Sequence, residues 1–116
     1  MAPAPRQQAS PLEHARGRAS RVIGFVCGSG SGLVATLHAL HVLPQWHGSG
    51  AGQSLHDAIV GQFRAWNCST AQLWVLDGNT RAVAFYRRNG WAPDGGRDAN
   101  DIGGSVVPIA RYRRPL

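Results

Sequence analysis

The chain contains no lysine, so arginine alone carries its basic charge: twelve Arg against six Asp and Glu give a formal net charge of +6. That absence removes one class of phosphate site at once, because a Walker-type loop ends in Gly-Lys-Ser/Thr. Cysteine is scarce. Cys27 and Cys68 have no metal-ligand spacing and read as two idle thiols rather than a disulfide framework. The five histidines (14, 38, 41, 47 and 56) lack a His-Glu-x-x-His arrangement, and no metal is expected. No run approaches the ~20 apolar residues of a membrane-spanning helix. The opening Met-Ala-Pro-Ala-Pro has no apolar signal core. These absences point to a cytoplasmic protein with no membrane partner.

What is present fits one folded domain. In 116 residues 43% are apolar, with four Trp, three Phe and two Tyr, enough for a modest core. The basic balance suits an anionic partner. The arginines are scattered, with small clusters at 87–88 and 111–114, which weighs against nucleic acid.

Residues 1–20 are rich in Pro, Ala and Arg without a period and read as a flexible tail, leaving 21–116 as the domain. Residues 21–27 form an apolar run of strand length, followed by a flexible Gly-Ser-Gly-Ser-Gly turn at 28–32. Leu33–Leu43 is a second strand. A helix follows from about Gly50 to Trp66, with Leu55, Ala58, Ile59, Gln62, Phe63 and Trp66 on its inner face. Ala71–Leu76 is a third strand, parallel to the second because a helical crossover joins them. Asn79 is an N-cap and Gly90 a C′ residue for a helix over 80–89. An Asp- and Gly-rich loop over 93–104 leads to a last strand near Ser105–Tyr112. Pro108 places that strand at an edge or bulge. The fold class is α/β (α+β).

The organising stretch is Leu40–Leu55, where a strand stops at Pro44, turns through Gly48, Gly50 and Gly52, and becomes a helix. Such a turn exposes N–H groups beside the positive end of a helix dipole, a ready anion site. A dinucleotide fingerprint needs glycines at relative positions 1, 3 and 6. The sixth position is Gln53 counted from Gly48 and Leu33 counted from Gly28, so both fail. What remains is Gln45-x-x-Gly48-x-Gly50 after a strand ending in Val-x-Pro. A second stretch, Leu73-Trp-Val-Leu-Asp-Gly-Asn79-Thr-Arg-Ala-Val-Ala-Phe85-Tyr86-Arg-Arg-Asn-Gly90-Trp91, follows at a set distance. Together they resemble the two signatures of the GNAT superfamily of acyl-CoA N-acyltransferases, over roughly Arg21 to the C-terminus.

The resemblance implies a mixed central sheet with two flanking helices, whose parallel strands splay to admit acetyl-CoA as cosubstrate. It implies that the N–H groups of Gly48, Ser49, Gly50, Ala51 and Gly52, with Gln45, hold the pyrophosphate. Backbone groups of Leu40 to Val42 would pair with the pantetheine amides. Asn79 would touch the CoA arm, although capping its own helix explains it equally well. Tyr86 matches the tyrosine that protonates the leaving thiolate. Where many members carry a base Glu this chain has Thr36, and His38 matches the second of two strand histidines in arylalkylamine-acetylating relatives. Straight alternation puts His38 on the face of Thr36 and Leu40 and puts His41 on the other.

The activity implied is N-acetylation of a primary amine on a small molecule or protein. A catalytically silent CoA-binding domain that works by association is a reading from another class, and a small basic nucleic-acid module a third. The N-terminal strand and two helices of the family have only about twenty residues in their place. Either the start is misassigned, or one wall of the amine site is missing, or a second subunit supplies it in a homodimer.

Overall fold

The computed structural model describes residues 12–16, as backbone, and 22–116. Among them the chain is a mixed α+β fold with six strands and two α-helices. It comprises two compact units: the residues up to Ala71 together with Leu116, and Gln72–Pro115.

In the first unit β2 (Val22–Ser31) is the middle strand, antiparallel to β1 (Leu12–Arg16) on one side and β3 (Val34–Val42) on the other. Strand β1 falls within the stretch expected to be a tail. Leu-Glu-His-Ala-Arg has no β-branched residue and little strand propensity of its own. It is a strand because β2 offers a row of backbone partners, from Leu12 opposite Cys27 to Arg16 opposite Val22. The rest of the expected tail, residues 1–11 and 17–20, lies outside the described residues.

Gly28–Gly32 is not a flexible turn. Strand β2 runs through it to Ser31, and the hairpin to β3 is the two-residue connection Gly32-Leu33. Gly32 has φ +62°, as a tight hairpin with glycine first requires. Gly28 and Gly30 are there for closeness. A Cβ on Gly28 would lie 2.6 Å from the Phe63 ring, and one on Gly30 2.9 Å from the Trp66 ring. Removing those side chains lets helix α1 (Ala51–Ala65) lay its aromatics on the strand.

Helix α1 buries Leu55, His56, Ile59, Val60 and Phe63. That stripe is rotated from the expected one: Ala58 is exposed and Gln62 only half-buried, while His56 and Val60 are buried. Its partners include Val26, Ala35, Leu37 and Val42. At about 25 cal/mol per Å2 of apolar area, each such large side chain contributes roughly 1.5–3 kcal/mol. At the far end of α1 the Ser69 and Thr70 N–H groups both donate to Leu33 O, at 2.8 and 3.2 Å. This sets the head of β4 (Thr70–Leu76) level with the head of β3.

Strand β3 carries a bulge. Gly28 is opposite Leu37, yet the next pair is Cys27 with Ala39, so His38 is the extra residue. Beyond it Leu40 faces the buried Val26, and His41 faces Phe25. Straight alternation therefore fails at this point. Thr36 and His38 share the side of β3 away from α1, Leu40 crosses to the α1 side, and His41 takes its place.

The second unit holds the rest of β4, helix α2 (Thr80–Arg88), β5 (Ala92–Ile102) and β6 (Ser105–Pro115). Residues 93–104, expected as a loop, are mostly strand β5 and its tight turn. Nothing in their composition signals a strand, because β5 is exposed along almost its whole length and no face demands apolar alternation. Its ladder with β6 holds it. The turn is Gly103-Gly104, with φ +59° and +86°, the paired positive values of a type I′ hairpin. An irregularity between Pro93 and Arg97 absorbs Asp94, Gly95 and Gly96. Pro108 lies level with the end of β4, where Asp77 N–H donates to its carbonyl at 3.2 Å. From there back to Ser105 the hairpin extends beyond β4, so proline's missing N–H interrupts no ladder there.

Candidate active site

The glycine turn is built in short steps after β3. Pro44–Trp46 form one 3-10 turn, closed by Trp46 N–H on Leu43 O and His47 N–H on Pro44 O. Gly48 and Gly50 then take φ +82° and +92°, values that side chains resist. A Cβ at either position would meet nothing within 4 Å. These glycines therefore serve backbone conformation and leave open space above the turn.

Two of the five expected donors are spent inside the turn. Ser49 N–H donates to Trp46 O at 3.1 Å, and Ala51 N–H to Ser49 Oγ at 3.3 Å. The N–H groups of Gly48, Gly50 and Gly52 have no acceptor among the described residues. Helix α1 has no side-chain cap and no acidic residue in its first turn, so its positive end is uncompensated. Gln45 is exposed in the 3-10 turn. The carbonyl of Val42 accepts from His47 Nε2 at 3.0 Å, which leaves it one lone pair for a ligand.

His38 sits at the bulge, exposed, with Nε2 2.6 Å from Ser29 Oγ. This contact was not legible in the sequence. Ser29 stands nine residues earlier in a Gly-Ser repeat that gives no register.

In the second unit, Asn79 caps α2: its Oδ1 accepts from Ala82 N–H at 3.2 Å. The structural role expected for Asn79 is thus present. At the other end Gly90 N–H donates to Arg87 O, and Trp91 N–H to Tyr86 O. Gly90 has φ +91°. This is a Schellman stop, and its accompanying apolar contact joins the Tyr86 and Trp91 rings, 5.9 Å apart and edge-on. The Tyr-x-x-x-Gly-Trp spacing is therefore a device that fixes the Tyr86 ring. Tyr86 is 8% exposed, and burial pushes its phenol up to about 12. Its hydroxyl makes no hydrogen bond among the described residues, so it stays protonated and free to donate.

In the same unit, Val75, Asp77, Thr80, Val83, Ala84, Arg87 and Tyr112 line a pocket of about 300 Å3; Tyr86 is not among them. Among the described residues no three His, Cys, Asp or Glu could hold a metal ion. No described helix is long and apolar enough to cross a membrane.

A family model described as Acetyltransferase (GNAT) family matches residues 8–91. The chain belongs to the GNAT acetyltransferase family. GNAT enzymes with known structures share its fold. The crystal structure of nourseothricin acetyltransferase is 26% identical with a TM-score of 0.84, covering 96% of this chain and 68% of that one. Ard1 from Thermoplasma volcanium is 25% identical at a TM-score of 0.77, covering 84% and 66%. The ribosomal-protein-S18-alanine N-acetyltransferase from Escherichia coli is 17% identical at 0.80, covering 94% and 70%; at that identity the likeness is of fold alone. The chain spans about two thirds of the length of these structures. No curated protein sequence matches. Of the GNAT signature residues, Leu40, Val42, Gln45 and Gly48–Gly52 belong to the first unit with His38, and Asn79 and Tyr86 to the second.

Proposed function

We propose that the chain is an N-acetyltransferase that moves the acetyl group of acetyl-CoA to a primary amine by direct attack. The observation that carries this is the trio of unpaired glycine N–H groups, Gly48, Gly50 and Gly52, at the uncompensated head of a fifteen-residue helix. A pyrophosphate fits that donor set, since N–H groups and the helix dipole both favour an anion there. The net charge of +6 adds long-range attraction. Gln45, Ser49 and Ala51 flank the same turn, and backbone groups of Leu40 and Val42 would take the pantetheine arm. Asn79 would contribute through its amide Nδ2, its Oδ1 being used in the cap.

Bound acetyl-CoA supplies an activated thioester, and the protein supplies proton handling. An alkylamine of pKa ~10 is only about 0.1–1% neutral near pH 7–8, so a base is worth a few kcal/mol. His38 is that base. Tyr86 serves the leaving sulfur as a hydrogen-bond donor. Complete transfer from a phenol near 12 to a thiolate of ordinary pKa ~8.5 would be uphill by about 5 kcal/mol. Tyr86 thus stabilises the thiolate, and solvent completes the protonation.

Pairing of two chains belongs to the same proposal, supported by the exposed Ile102 and Val106 at the β5–β6 tip. Calorimetric titration with CoA, followed by thiol release from acetyl-CoA with a panel of amines, tests the assignment. Saturable binding with amine-dependent release is expected. Binding without release would leave a CoA-binding association domain, and no binding would overturn both.

A further inference from the structure

The bulge at His38 has a chemical consequence on the open side of the β2–β3 hairpin. An extra residue in a strand re-aims its side chain, and here the imidazole meets Ser29 of the neighbouring strand with Nε2 and Oγ 2.6 Å apart. Such a distance belongs to a strong hydrogen bond. A hydroxyl both donates and accepts, so Oγ can bond Nε2 and still receive a proton from a third group. With the ring proton on Nδ1, the single lone pair of Nε2 is directed at Ser29. An ammonium approaching that nitrogen meets the serine oxygen first.

We propose that Ser29 relays the proton from the amine to His38. This rests on His38 being the base. The ammonium N–H bond breaks as an O–H bond forms on Ser29 Oγ; the original Ser29 O–H bond breaks as an N–H bond forms on Nε2. The amine leaves the step neutral with its lone pair available, and the positive charge moves to the imidazole. Serine ends as it began.

The titratable groups on this face from β2 and β3 are Cys27 and His41, and the register sets His14 of β1 opposite Phe25. The Phe25 and His41 rings lie 5.9 Å apart, tilted at 42°, beyond the Cys27–Ala39 pair that separates them from Ser29 and His38. No carboxylate from β2 or β3 shares the face, and the hydroxyl of Ser29 is the group that meets Nε2 there.

Two measurements test the relay, one of which needs no activity. Long-range nitrogen–proton spectra of the unliganded chain at pH 8 should show His38 as the Nδ1–H tautomer, with Nε2 accepting. A predominant Nε2–H tautomer would reverse the hydrogen bond and overturn the proposal. In turnover, Ser29→Ala should lower kcat at least tenfold with the CoA dissociation constant within twofold, while Ser29→Thr, which keeps the hydroxyl, should retain half the rate or more. Loss in both variants, with unchanged melting temperatures, would mean a steric role and overturn the relay. A wild-type Ser29→Ala profile, while His38→Ala loses its pH limb, would leave His38 the base and remove Ser29. If His38→Ala keeps the limb, the base assignment fails and the relay with it.

Discussion

Replacing Tyr86 by Phe separates the ring from the hydroxyl, and the structure sets what each is worth. The ring stays between Phe85 and Trp91, at 5.4 and 5.9 Å, and the Schellman stop uses only backbone groups. The hydroxyl has no partner among the described residues to leave stranded. Stability at pH 7–8 should therefore change by less than about 0.5 kcal/mol. Loss of a hydrogen-bond donor to developing charge typically lowers turnover by about 10²–10³-fold, and CoA affinity should stay within twofold. Alkaline stability provides a check independent of catalysis. The phenol is near 12 folded and about 10 unfolded, so the folded state holds the proton more tightly. Its contribution is complete below pH 10 and is lost as pH rises through 12, about 2–3 kcal/mol in all. Urea melts of both proteins from pH 8 to 11.5 should diverge above pH 10, with wild type losing more. Parallel curves would refute the buried, protonated phenol. Wild-type turnover in the variant would refute its role with the thiolate.

Gly50→Val forces a β-branched residue into φ +92° at the head of α1. It should raise the CoA dissociation constant at least tenfold in calorimetry while the protein stays folded. His38→Ala should remove the limb that a general base gives the pH–rate profile. Gly28→Ala places a methyl 2.6 Å from the Phe63 ring and should cost about 1–3 kcal/mol in urea unfolding. Asp94, held down to about 2 by the Gly96 N–H, Arg113 and Arg111, supports the fold above the ordinary carboxylate range and loses that support as pH falls through 2. Asp94→Asn should remove that part of the acid dependence in melts between pH 5 and 2.

Features governed by local chemistry were legible in the sequence. Asn79 and Gly90 bound α2 as expected because a cap and a left-handed stop are decided within a few residues. The strand–turn–helix around Gly48 and Gly50 was legible for the same reason. Strands β1 and β5 were not, since each is held by a neighbour's backbone rather than by its own composition. The inner stripe of α1 was legible at Leu55, Ile59 and Phe63 but not at His56 and Val60, whose burial depends on the sheet they meet. At the candidate site, the loop and Tyr86 carried signatures. The pairing of His38 with Ser29 depends on a register that no single strand encodes.

The bulge at His38 lets β3 carry one residue more than its partner while the strand on either side keeps its register. Deleting that residue alone would leave Leu37, Ala39, Leu40, His41 and Val42 in straight alternation, with Leu40 and Val42 still on the α1 side. The buried Val42 and the turn carrying Gln45 to Gly52 would hold their phase, and only the imidazole beside Ser29 would be lost. The hairpin is thus an insertion site that costs the rest of the sheet nothing, and a chain shortened by that one residue should fold and bind CoA yet lack the base.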